Sequence, residues 1–84
     1  MRKVYPVILT PSDNGYVVYV PDFNVNTEGS DPDEALYMAR DVIYTMGLVY
    51  RDEKKPYPEP KTMTPPHKAN EIVSLVDVDF DEYR

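Results

Sequence analysis

The sequence predicts an α+β domain with strands and helix in the order β-β-β-α-β. Three observations predict it. Two β-branched runs flank an Asn-Gly turn, a long stretch repeats apolar residues at helical spacing, and a short apolar run follows a proline-rich connection.

Val4 to Thr10 is apolar on both alternating sets, and Pro11-Ser12-Asp13-Asn14-Gly15 supplies turn residues, with Asn14-Gly15 suited to positive φ. Tyr16 to Val20 forms the second strand, stopped by Pro21-Asp22, and Asn24 to Glu28 forms a weaker third strand suited to an edge. Ser30 is the expected helix cap, with Asp33 as the capping-box acid and Pro32 in the first turn. Ala35, Leu36, Ala39, Val42, Ile43, Met46, Val49 and Tyr50 then share one face of a helix over 31–53. Arg51, Lys54 and Lys55 suit its C-terminal end, and Pro56 forbids continuation. Five prolines between Pro56 and Pro66 predict an extended connection, and Glu71 to Phe80 the last strand, after which Asp81-Glu82-Tyr83-Arg84 carries no turn or cap. The first three strands form an antiparallel meander. The helix, read as a right-handed crossover on one face, returns the fourth strand parallel to the first, in the order 3-2-1-4.

The 84 residues make one domain with a thin core. No Cys is present, which removes disulfides and thiolate chemistry and fits a reducing cytoplasm. No apolar run approaches the roughly 20 residues that span a bilayer, and Pro6 and Pro11 break any signal-like start. No membrane association is expected. The net charge of −6, from fifteen acids against nine bases, disfavours nucleic acid and favours a basic protein partner.

One helix covers one face of a sheet, yet the hairpin strands carry apolar residues on both. A second copy of the chain, as a homodimer or higher homo-oligomer, or another protein is expected on the other face, with Tyr5, Val17 and Tyr19 as candidates for self-association. Asp22, Glu28, Asp77, Asp79, Asp81 and Glu82 are candidates for contact with a basic partner, chosen for charge and strand-end placement. His67 lies in the proline loop, Ser12, Ser30 and Ser74 have no neighbouring base, and the three glycines form no phosphate-binding pattern. No catalytic residue, metal site or cofactor is expected. Asp22, Glu28, Asp77 and Asp79 leave open a rival reading as a degenerate Mg²⁺-dependent nuclease, and a stand-alone dimeric scaffold is a third.

Tyr5-Pro6-Val7-Ile8, Asp13-Asn14-Gly15-Tyr16-Val17-Val18 and Val20-Pro21-Asp22-Phe23 resemble the opening of the HicB antitoxin family. Thr27-Glu28-Gly29-Ser30 leading into Asp33-Glu34-Ala35-Leu36 and Ala39-Arg40 is similar to that family too, as is Pro56-Tyr57-Pro58-Glu59-Pro60. The resemblance covers about residues 4–60 and, less distinctly, the final strand. It implies a partial ribonuclease-H-like fold without catalysis, neutralisation of a small basic HicA-type toxin that cleaves mRNA, and self-association. It also implies transcriptional autoregulation through a C-terminal segment that binds operator DNA, which is not found in residues 1–84; the abrupt end after the last strand favours the N-terminal part of a longer antitoxin. The family's Leu-Pro-Gly-Cys-like stretch is replaced by Phe23-Asn24-Val25-Asn26, so no contact is transferred from that loop.

Overall fold

The computed structural model describes residues 1–82, so the uncapped end expected at Tyr83-Arg84 lies outside the described residues. Strands β1 (Arg2–Ser12), β2 (Gly15–Val20) and β3 (Val25–Gly29) precede helix α1 (Pro32–Asp52), and β4 (Ile72–Asp79) follows it. They form one four-stranded sheet in the order β3-β2-β1-β4. The α+β class, the strand order and the single helix agree with the sequence.

The direction of β4 does not. It pairs antiparallel with β1, Leu9 opposite Ile72 and Arg2 opposite Asp79, where a parallel strand was expected. The expected crossover would pass straight from the end of α1 into β4. Instead residues 53–71, the proline-rich stretch, climb the length of the sheet before β4 begins, and extended proline-rich chain covers about 3.1 Å per residue. This stretch forms a strap. A connection long enough to return to the far end permits either strand direction, so length alone did not decide it.

The β1–β2 hairpin pairs Ser12 with Gly15 across a two-residue loop. Gly15 has φ +146°, and a Cβ there would lie 2.3 Å from the Gly29 carbonyl oxygen, so this position accepts no side chain.

Helix α1 starts one residue later than the predicted cap. Asp31, not Ser30, is the N-cap, and its Oδ1 accepts the Glu34 amide at 2.8 Å. Pro32 explains the shift. The residue before a proline is driven to extended backbone, here φ −146° and ψ 170° at Asp31, which is the geometry of an N-cap. Glu34, not Asp33, completes the box, accepting from the Ser30 amide at 2.7 Å. The other end closes with the Lys55 amide donating to Tyr50 O at 2.9 Å and the Lys54 amide to Arg51 O at 3.0 Å. This paired pattern places Lys54 in the left-handed region, at φ 57°, where glycine is usual.

The core lies between α1 and one sheet face. Tyr5, Val7 and Leu9 of β1, Val18 and Val20 of β2, and Val76 and Val78 of β4 pack on Ala35, Ala39 and Ile43 of the helix. Small helix residues let the backbone approach closely. Gly47 sits so near Phe80 that an added Cβ would meet its ring at 2.4 Å. That ring is pinned, stacked on Tyr57 at 4.1 Å and edge-on to Tyr5 at 6.4 Å.

Two substitutions test this packing by urea denaturation. Lys54→Gly is expected to stabilise the fold by about 1 kcal/mol, because it removes the left-handed strain. Gly47→Ala is expected to cost about 1–3 kcal/mol despite alanine's better helix propensity, because Phe80 cannot move aside.

Candidate functional site

The second sheet face carries Val4, Pro6, Ile8 and Thr10 from β1, Val17 and Tyr19 from β2, and Val73 and Leu75 from β4. Its middle is not open. Ile8 is 8% exposed and Pro6 is fully buried, whereas Val4 is 36%, Val17 38% and Leu75 54% exposed. The strap supplies the cover. It leaves the helix beside Tyr57, passes Pro58, whose carbonyl accepts the Tyr5 hydroxyl at 2.8 Å, and reaches Asp22, where the Lys61 amide donates to Oδ1 at 3.2 Å. Pro65 and Pro66 then lie over Pro6, Tyr19 and Pro21 around a shared cavity, and Glu71 ends the strap by accepting the Thr10 hydroxyl at 2.6 Å. Pro65 itself is buried. The chain therefore covers part of the face for which an outside partner was expected.

Tyr5 does not belong to the self-association set. It is 0% exposed, lies on the helix face and forms an edge contact with Phe23 at 5.0 Å. Alternation decides this, because Val4 and Tyr5 point to opposite faces and both are apolar. Burial, followed by the nearby carboxylates Glu59 and Asp22, pushes its hydroxyl pKa well above the usual tyrosine range. Val17 and Tyr19 do share the outer face, where the Tyr19 hydroxyl donates to Asn24 Oδ1 at 2.9 Å.

The six candidate acids are not brought together. Glu28 stands exposed on β3, at the edge opposite β4. Asp22 lies under the strap after β2. Asp77, Asp79 and Asp81 cluster at the end of β4, but each faces a cation of the same chain. Asp77 pairs with Arg2 at 2.7 Å and Arg40 at 3.1 Å, Asp79 with the Met1 amine at 3.3 Å, and Asp81 with that amine and with Arg51 at 3.9 Å. Glu82 is exposed beside Arg40, Tyr44 and Asp79. Among the described residues, no three acidic or imidazole side chains converge as metal ligands would. His67 Nδ1 lies 2.9 Å from the Pro65 carbonyl oxygen within the strap.

With this geometry established, the fold compares closely with two solved assemblies. No protein-family model matches the sequence, and no curated protein matches it. A chain of a "Toxin-Antitoxin complex from Streptococcus pneumoniae" superposes with a TM-score of 0.81 at 19% identity, covering 95% of this chain and 71% of that one. A chain of a "HicA3 and HicB3 toxin-antitoxin complex" superposes with a TM-score of 0.66 at 18% identity, covering 92% and 99%. The protein shares their fold.

Sequence reasoning missed the strap's contact with the sheet and the cavity beneath it. The five prolines marked an extended segment but not the surface it lies on. The available signal was Pro6, an imino residue within an otherwise continuous strand, opposite a segment built of the same residue type.

Arg40 holds Asp77 below the usual carboxylate range, the Asp81 backbone amide and the amino terminus do the same for Asp79, and the Lys68 amide and Thr10 hydroxyl lower Glu71. A carboxylate with a depressed folded pKa stabilises above its unfolded value and loses that contribution as pH falls through the folded one. Thermal unfolding followed from pH 7 downward should therefore hold level to about pH 4 and then decline. Asp77→Asn should make that acid decline shallower.

Proposed function

We propose that this chain is an antitoxin domain of a type II toxin-antitoxin system, which binds and neutralises a HicA-type, mRNA-cleaving toxin in the cytoplasm and pairs with itself. The superposition on chains of two toxin-antitoxin complexes carries this reading, and the HicB-like sequence order in residues 4–60 supports it. A net charge of −6 suits a basic toxin and raises the rate of encounter with it.

Intramolecular pairing ranks the acids. Asp77, Asp79 and Asp81 already hold Arg2, Arg40, Arg51 and the Met1 amine, so a partner must compete with those contacts. Glu28 and Glu82 are exposed, and Asp22 borders the cavity beside Tyr19. These three are the better docking acids. Val17 and Tyr19, with the exposed Val4 and Leu75, are the apolar candidates for pairing with a second copy. The proposal extends to a DNA-binding segment beyond residue 84 for autoregulation.

A small basic protein encoded in an adjacent reading frame, once found, provides the test. Mixed with an equimolar amount of this chain, its RNA cleavage should be suppressed, and the complex should weaken steeply between 50 and 500 mM salt, roughly spanning Debye lengths from above 10 Å to a few Å. Unchanged cleavage with no complex would overturn the reading, and Mg²⁺-dependent RNA cleavage by this chain alone would replace it with the nuclease. Sedimentation of the chain alone should show a dimer or larger, shifted toward monomer by Val17→Asp.

A further inference from the structure

Asp22 Oδ2 is buried and has no hydrogen-bond partner, alone in this among the side-chain polar atoms of the described residues. A buried acceptor left unmatched is destabilising, more so when it is charged. The surroundings explain why nothing nearby satisfies it. The cavity of about 280 Å³ that Asp22 lines is walled by Pro6, Pro21, Pro65 and Pro66, none of which has an amide hydrogen. Its other polar neighbours are committed, save the ammonium of exposed Lys61, which makes no bond to Oδ2. The Tyr19 hydroxyl donates to Asn24, the Lys61 amide donates to Oδ1, and the Thr62 hydroxyl is shared with Thr64. A donor has to come from outside this set.

We infer that this cavity receives an arginine side chain of the protein partner, whose guanidinium satisfies Asp22. The inference deepens the docking reading above and rests on it for the source of the arginine. Four proline rings and the Tyr19 ring offer flat, weakly polar walls, which suit a planar, weakly hydrated guanidinium better than a compact, strongly hydrated ammonium. A carboxylate meets a guanidinium with two parallel N–H···O bonds, and Oδ1 holds only one bond of 3.2 Å, to the strap. Oδ2 is closed to solvent in this structure, so an incoming guanidinium requires the surroundings of Asp22 to shift, and the single bond from the Lys61 amide is the strap's one hydrogen bond to that carboxylate among the described residues. Lys61 is exposed, so its ammonium can remain in water while its backbone moves.

The probe is N-acetyl-arginine amide, titrated into the ¹⁵N-labelled chain and followed by NMR, with the citrulline and lysine analogues in parallel. The arginine compound should shift the amides of Tyr19, Asp22, Lys61 and Thr62. Citrulline, of the same shape but neutral, should shift none of them, and lysine should bind more weakly. Asp22→Asn should weaken arginine binding about tenfold or more. Equal shifts with citrulline, undiminished binding to Asp22→Asn, or no shift at these residues would overturn the assignment and leave a bound water as the donor. The citrulline comparison requires no variant, so it decides even if Asp22→Asn unfolds. The two readings also separate. Arginine binding without toxin binding would sink the docking role and leave the cavity's preference intact. Toxin affinity unchanged by a folded Asp22→Asn would sink the cavity's role and leave docking intact.

Discussion

Helix α1 ends beside the start of β1, whereas β4 must begin at the opposite end of the sheet to pair antiparallel with it. Residues 53–71 therefore have to travel the full length of the strands, and the shape of the molecule follows from the route they take. The helix occupies one face, so the return path runs over the other. Prolines suit that path, because an extended chain without its own hydrogen-bond ladder loses little by lacking amide hydrogens. The same property leaves the carboxylate of Asp22 among neighbours that cannot donate to it. Fold direction, cover of the outer face and the unmatched acid are thus one problem of chain routing.

The elements with local causes were legible in the sequence. Asn14-Gly15 set the hairpin, though only Gly15 takes the positive φ expected of the pair, and the spacing from Ala35 to Tyr50 set the helix to within a residue at each end. The strand order 3-2-1-4 followed from the meander. Errors arose where two neighbouring signals compete or where a distant contact decides. Ser30 and Asp31 are both good caps, and only the effect of Pro32 on its predecessor separates them. Tyr5 is one residue away from the outer face, in a strand whose alternate sets are both apolar, so its side was undetermined until the helix was placed against it. The direction of β4 depended on where a long connection lies, which residue pattern does not encode.

Charge shows the same division. Composition gave the acidic balance correctly, and the acids at the end of β4 did fall where alternation puts them. Their partners could not be read, since Arg2, Arg40 and Arg51 come from β1 and from two turns of α1 well apart in sequence. These ion pairs fasten the edge strand to the helix and to β1. Being exposed, each contributes little by itself. Together they convert what looked like a free acidic surface into a partly neutralised seam, leaving fewer acids for another molecule to meet.

β1 lies in the interior of the sheet, between β2 and β4, yet β4 is the last strand to be synthesised. On the ribosome, Arg2 to Leu9 of β1 lack their β4 partner until residue 72 and those beyond emerge. An apolar strand with a free edge invites pairing between nascent chains. Pro6 does not interrupt that edge: backbone groups alternate sides along a strand, the Met1 carbonyl that accepts from the Phe80 amide marks the odd-numbered residues as those facing β4, and the amide hydrogen missing from Pro6 falls on the other side. The proline therefore sits in a central strand without cost to the β4 ladder, and the edge that awaits β4 keeps its full row of amide hydrogens until the chain is complete.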